Sequence, residues 1–102
     1  MERRVLSELA DRLRRELGAK EVWLYGSAAR GELEDGSDID LLVVLGRADW
    51  DTEKRVIDCC VAAERQIRRI VSTACFSEED LTRTPLRASP FLRYARQEAI
   101  PL

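Results

Sequence analysis

The chain of 102 residues contains no histidine. That absence excludes a histidine general base and, with the cysteines as they stand, a zinc site. Cys59, Cys60 and Cys75 are odd in number and lack metal-ligand spacing, so they read as small apolar core groups rather than a disulfide framework. Long apolar runs are also missing. The longest, Leu41 to Leu45, is far too short to span a bilayer, which argues against a membrane protein. The opening Met1-Glu2-Arg3-Arg4 lacks the apolar stretch and cleavage site of a signal peptide, so a cytoplasmic protein is expected. A large excess of one charge sign is missing too, with 17 Lys and Arg against 19 Asp and Glu. The net charge of −2 creates no global basic field, and nucleic acid is not expected as the primary partner.

What is present is ordinary for one soluble domain: 45% hydrophobic and 35% charged residues, with no repeat, low-complexity segment or linker. A single domain over residues 1–102 is expected. The charges are unevenly placed. Acids crowd from Glu32 to Glu53, whereas Arg83, Arg87, Arg93 and Arg96 follow one another without an intervening acid. Two readings of those arginines stand: a solvated surface with snorkelling stems, or a patch for a triphosphate tail, an RNA or an acidic partner.

Periodicity supplies the elements. Val5, Leu6, Leu9, Leu13 and Leu17 recur at helical spacing, and Gly18 stands where a helix stops. Glu21 to Tyr25 reads as a strand, with a brief helix from Ser27 to about Arg30 and a polar loop through Asp35-Gly36. A second strand, Asp38 to Leu45, is apolar on both faces after its acidic start, which predicts a central strand covered by helices. Asp49 or Asp51 caps the next helix, which is expected to turn Val56, Ile57, Cys60, Val61 and Ile67 inward. Ile70 to Phe76 reads as a third strand. Ser77-Glu78-Glu79-Asp80 then opens a helix and Ser89-Pro90 a last one, whose Phe91, Leu92 and Tyr94 suit either core packing or a contact surface. The fold class is α/β, a small mixed sheet flanked by helices.

The chemistry concentrates between the first two strands. Gly26-Ser27 closes the first, and ten residues later Asp38-Ile39-Asp40 opens the second. Alternate residues of a strand share a face, so Asp38 and Asp40 are expected side by side. Two such acids repel unless a cation lies between them, and hard divalent cations take oxygen ligands and often bridge to phosphates. A glycine turn lets backbone N–H groups approach a phosphate closely.

Gly26-Ser27, Arg30-Gly31, Ser37 and Asp38-Ile39-Asp40, with the apolar run behind them, resemble the polymerase-beta-like nucleotidyltransferase superfamily. Within it the chain is most similar to the minimal, stand-alone MNT-type proteins. Ser89-Pro90-Phe91-Leu92 and Glu98-x-Ile100 extend the likeness over most of the length.

The resemblance implies transfer of a nucleotide monophosphate, AMP first among candidates, from ATP or another nucleoside triphosphate to an acceptor hydroxyl. It implies that Asp38 and Asp40 are the catalytic carboxylates and bind magnesium, in a site of up to two ions. Gly26, Ser27, Arg30 and Ser37 would bind the nucleotide. For Arg30 an ion pair that fixes the loop is an equal alternative, and Ser37 orders the strand entrance through a local hydrogen bond.

Active members also carry a third carboxylate on the following strand. Here that strand offers Ser72 or Thr73 instead, with Asp58 and Glu64 on the preceding helix as poor substitutes. Two functional readings therefore stand: an enzyme, or a nucleotide-binding antitoxin subunit, catalytically impaired, that neutralises its partner by contact. A third, transfer to an aminoglycoside-like small molecule, lacks the extra domain that would hold the acceptor. The family also implies a helical HEPN-type protein partner in a toxin–antitoxin pair. The sequence is compatible with a homo-oligomer and does not specify the oligomeric state.

Overall fold

The computed structural model describes residues 2–26, 38–47, 49–79, 90 and 97–102. Its elements are α1 (Glu2–Leu17), β1 (Glu21–Tyr25), β2 (Ile39–Leu45), α2 (Trp50–Ile67), β3 (Val71–Ser77) and β4 (Ile100–Pro101). Helix α1 forms because Val5, Leu6, Leu9, Ala10 and Leu13 make one buried stripe. Exposed ion pairs (Arg4–Glu8, Arg12–Glu16 and Arg14–Asp11) line its outer face and contribute little. The helix stops where expected. Gly18 takes φ +66, so its own N–H and that of Ala19 turn back to the Arg14 and Leu13 carbonyls.

Asp49, rather than Asp51, is the cap of α2, and its side chain accepts a 2.8 Å hydrogen bond from the Thr52 N–H. A side-chain hydrogen bond from Thr52, and after it this backbone bond, hold the Asp49 carboxyl below its ordinary pKa. A lowered folded-state pKa contributes stability above the unfolded value, and the contribution is lost as pH falls through the folded one. Asp49→Ala is therefore expected to lower the urea midpoint at pH 7. The gap to wild type should close once the pH drops well below 4; an unchanged gap at pH 3 would mean the cap acts through something other than its charge.

The sheet order is β3-β2-β1-β4. β1 runs antiparallel to β2 and β4, whereas β2 and β3 are parallel and joined through α2. The sheet is thus mixed and β2 central, as its apolar pattern implied. Ile39, Leu41, Val43 and Leu45 pack under α1 and α2. On the other face Leu42 and Val44 are buried with Trp23, Tyr25 and Phe76 around them. Cys59 and Cys60 are buried in the helix-side core and Cys75 packs against it. Burial pushes the Cys60 thiol up to about 12, so it stays protonated and behaves as an apolar group.

Two expectations need correction. Ile57 and Val61 point outward, at 51% and 38% exposure, because Cys59 and Ala63 take the inward positions beside Val56, Cys60 and Ile67. Ile70 lies outside β3 and is exposed, and Ser77 belongs to that strand. β4 was not anticipated: two residues carry no periodicity, and only pairing with Trp23 and Leu24 defines it.

Glu78 and Glu79 enter a helical turn after β3, and Pro90 is helical. The expected helix from Ser27, the loop through Asp35-Gly36 and the bodies of the last two helices lie outside the described residues. So do Arg83, Arg87, Arg93, Arg96, Phe91, Leu92 and Tyr94.

Candidate active site

Antiparallel pairing brings the end of β1 to the start of β2, so Tyr25 lies opposite Asp40. Parallel pairing sets Ser72 beside Asp40 from the other side. Paired residues share a sheet face, and the row Tyr25, Asp40, Ser72 therefore crosses three strands at one end of the sheet. Asp38 sits just before β2 and is exposed; Asp40 is half-buried.

Gly26 completes the corner. It has φ +71, and a Cβ built there would meet Asp40 Oδ2 at 2.9 Å. An L side chain there would be strained by the conformation and would push the Asp40 carboxylate aside. The turn is closed on the carboxylate, which is why glycine stands at this position.

Electrostatics point the same way. Burial, then the charge of Asp38, raises the Asp40 pKa. Burial, then the charge of Asp40, raises that of Tyr25. Both shifts come from burial and from the negative charge of a neighbouring carboxylate, and a bound cation would relieve two carboxylates so placed. The available donors are all oxygen, from Asp38, Asp40 and the Ser72 hydroxyl, and this set fits magnesium better than a softer metal. Two carboxylates suffice where phosphate and water fill the remaining positions, the usual manner of magnesium binding. Among the described residues no group of three His, Cys, Asp or Glu could hold a metal ion.

Of the residues expected in the site, Gly26, Asp38 and Asp40 are brought together. Ser27, Arg30 and Ser37 lie outside the described residues. Asp58 and Glu64 do not join them. Glu64 Oε1 accepts a 2.9 Å hydrogen bond from Val71 N–H, and Asp58 lines a groove with Arg12, Glu16 and Arg55 on the helix side. Register also decides between the two hydroxyls: Ser72 is level with Asp40, while Thr73 pairs with Leu41 and faces the helices. Tyr25 had no assigned role from sequence. Its only signal was its place before Gly26, and the cross-strand pairing made it the neighbour of Asp40.

The nucleotidyltransferase domain family matches residues 6–100, nearly the whole chain. The chain belongs to the nucleotidyltransferase domain family. Its fold is the MNT-type, polymerase-beta-like one. A structure described as that of a minimal nucleotidyltransferase is 30% identical, with a TM-score of 0.60, and the match covers 99% of this chain and 88% of that one. A nucleotidyltransferase structure from Sulfolobus solfataricus is 20% identical, with a TM-score of 0.55, covering 96% and 76%. Spectinomycin adenyltransferase AAD(9) from Enterococcus faecialis, solved with ATP and spectinomycin, is 17% identical with a TM-score of 0.59. That match covers 79% of this nucleotidyltransferase domain and only 36% of the adenyltransferase. No curated protein matches the chain. No helix of the described residues is long and apolar enough to cross a membrane.

Proposed function

We propose that this nucleotidyltransferase domain is a magnesium-dependent enzyme that transfers AMP from ATP to a hydroxyl of a partner protein. In the transfer, the acceptor oxygen forms a bond to the α-phosphorus, the bond to the leaving pyrophosphate breaks, and the hydroxyl proton passes to water. The observation that carries this reading is the closed corner of Gly26 and Asp40 with Asp38 beside it. Asp38 and Asp40 hold the magnesium, which neutralises phosphate charge when bound. Gly26 keeps the turn tight, and Ser27, Arg30 and Ser37 contact the nucleotide. ATP is favoured as donor because the structurally similar spectinomycin adenyltransferase was solved with it. The domain acts as one unit over residues 1–102, in the cytoplasm, as the antitoxin of a pair whose toxin is a helical HEPN-type protein.

Ser72 favours a second reading. A serine beside Asp40 is a poorer magnesium ligand and base than a carboxylate, and general-base help typically contributes about 10²–10⁴-fold. Transfer would then be slow, and neutralisation of the partner would rest on contact alone.

Incubation with labelled ATP, magnesium and the product of a neighbouring gene separates the two. Label on the partner supports the enzyme. No label, with full inhibition by the Asp38→Ala/Asp40→Ala variant, supports contact. Ser72→Asp is expected to raise transfer by about tenfold or more, the lower part of the range for a restored base. No increase would remove Ser72 as the limiting position.

A further inference from the structure

Glu64, in the last turn of α2, closes the corner into β3 with two hydrogen bonds. Its backbone carbonyl accepts the Arg68 N–H at 2.7 Å, and its side-chain Oε1 accepts the Val71 N–H at 2.9 Å. One residue therefore holds both ends of the turn made by Arg68, Arg69 and Ile70. In the described sheet β3 is an edge strand, and the Glu64 carboxylate serves the Val71 N–H as a neighbouring strand would.

The turn is strained. Arg68 has φ 56, in the left-handed region that glycine takes readily and other residues disfavour. Such a conformation persists where the surroundings hold it in place.

The same turn reaches the carboxylates. The Ile70 carbonyl accepts the Ile39 N–H at 2.8 Å. That N–H belongs to the peptide joining Asp38 to Ile39, and Ile39 stands between the two acids. Val71 pairs with Ile39 and Ser72 with Asp40, so a shift at the start of β3 is a shift of the Asp40–Ser72 row.

We infer that Glu64 is a positioning residue for the carboxylate pair: by clamping the turn at Val71 it holds the Ile70 carbonyl that fixes the peptide between Asp38 and Ile39. The inference rests on the proposed active site. Glu64 acts through the backbone and supplies no ligand to the metal.

Amide hydrogen exchange in the metal-free protein tests the clamp apart from any activity. Glu64→Ala is expected to speed exchange at Val71 and Ile39 by about tenfold or more, with Val43 in the middle of β2 unchanged. Glu64→Gln keeps an oxygen for the Val71 N–H and should stay within about threefold of wild type. Arg68→Gly in the Glu64→Ala background removes the strain and should recover most of the protection at Ile39.

Mn2+ added with ATP, followed by electron paramagnetic resonance, reports on the carboxylates themselves. Glu64→Ala should bind it about tenfold more weakly, as expected when a group that orients metal ligands is lost, and Glu64→Gln like wild type. Unchanged Ile39 exchange in Glu64→Ala overturns the inference, as does a Glu64→Gln variant weakened as much as Glu64→Ala. Faster exchange that extends equally to Val43 also overturns it, because that is a loss of global stability. So does an unchanged Mn2+ affinity in a Glu64→Ala protein whose Ile39 exchange has accelerated. Mn2+ binding that survives Asp38→Ala/Asp40→Ala would instead overturn the reading of the site, while the metal-free exchange results would still support the clamp.

Discussion

Asp40→Asn is expected to abolish nucleotidyl transfer and, in the same molecule, to raise the melting temperature of the metal-free protein. Both effects come from one feature. Asp40 is half-buried at the end of the central strand, and its pKa is raised by burial and by the charge of Asp38. An acid whose folded pKa exceeds its unfolded value of about 3.9 costs stability when ionised. That cost is present at neutral pH and vanishes once the pH falls below the unfolded value, where both states bind the proton.

Asparagine keeps the shape and removes the charge. The gain in the absence of metal should be up to about 1 kcal/mol, the scale of partly screened charge interactions, or a few degrees for a domain this size. It should fade as the pH is lowered through 4. Magnesium with nucleotide should reverse the order, because a ligand bound only by the native wild type stabilises it in proportion to ln(1 + [L]/Kd). Transfer should fall about 10³-fold or more, as expected when a group that stabilises transition-state charge is lost. Calorimetry across pH with and without magnesium reads the first pair of effects, and label incorporation the third. A destabilised Asp40→Asn at neutral pH would mean that Asp40 is a structural residue, not a site held at a cost.

The second large effect is expected at Gly26. Gly26→Ala must adopt φ +71 and must also push back an Asp40 oxygen 2.9 Å away. The conformation alone costs about 1 kcal/mol. Displacing the carboxylate adds to it, for a total of about 2 kcal/mol and a fall of roughly 8 °C or more. Transfer should drop about 100-fold, since a displacement near 1 Å at a reacting centre has that effect.

A double-mutant cycle isolates the contact. In the Asp40→Ala background the carboxylate is gone and the Asp40 Cβ, 3.8 Å away, makes an ordinary contact. The stability cost of Gly26→Ala should then shrink to the conformational part. Equal costs in both backgrounds would show that the turn needs glycine for its φ alone.

Serine at position 72 shows how far local reading reaches. The missing acid on β3 was legible as composition, because Val71–Ser77 contains none. Which residue stood in its place was not, since a strand pattern leaves the register against its neighbour open by one residue, and one residue exchanges the faces. The pairing of Asp40 with Ser72 resolved it. The outward turn of Ile57 and Val61 has a similar cause. The apolar positions of α2 cover more of the helix than one face can bury, and periodicity cannot say which part meets the sheet.

From its residues alone this protein's chain determined the helix that ends at Gly18, the span Glu21–Tyr25, a cap at Asp49 or Asp51 and the spacing between Gly26-Ser27 and the two acids. These are short-range matters, governed by φ preference, side-chain capping and the spacing of apolar groups along one segment. Only the tertiary structure decided that Tyr25, Asp40 and Ser72 form one row, that Gly26 closes on a carboxylate, and that two residues near the end add a fourth strand. Those depend on hydrogen bonds between segments far apart in the chain. Their register is chosen by the burial of a whole sheet face and cannot be read from any one strand.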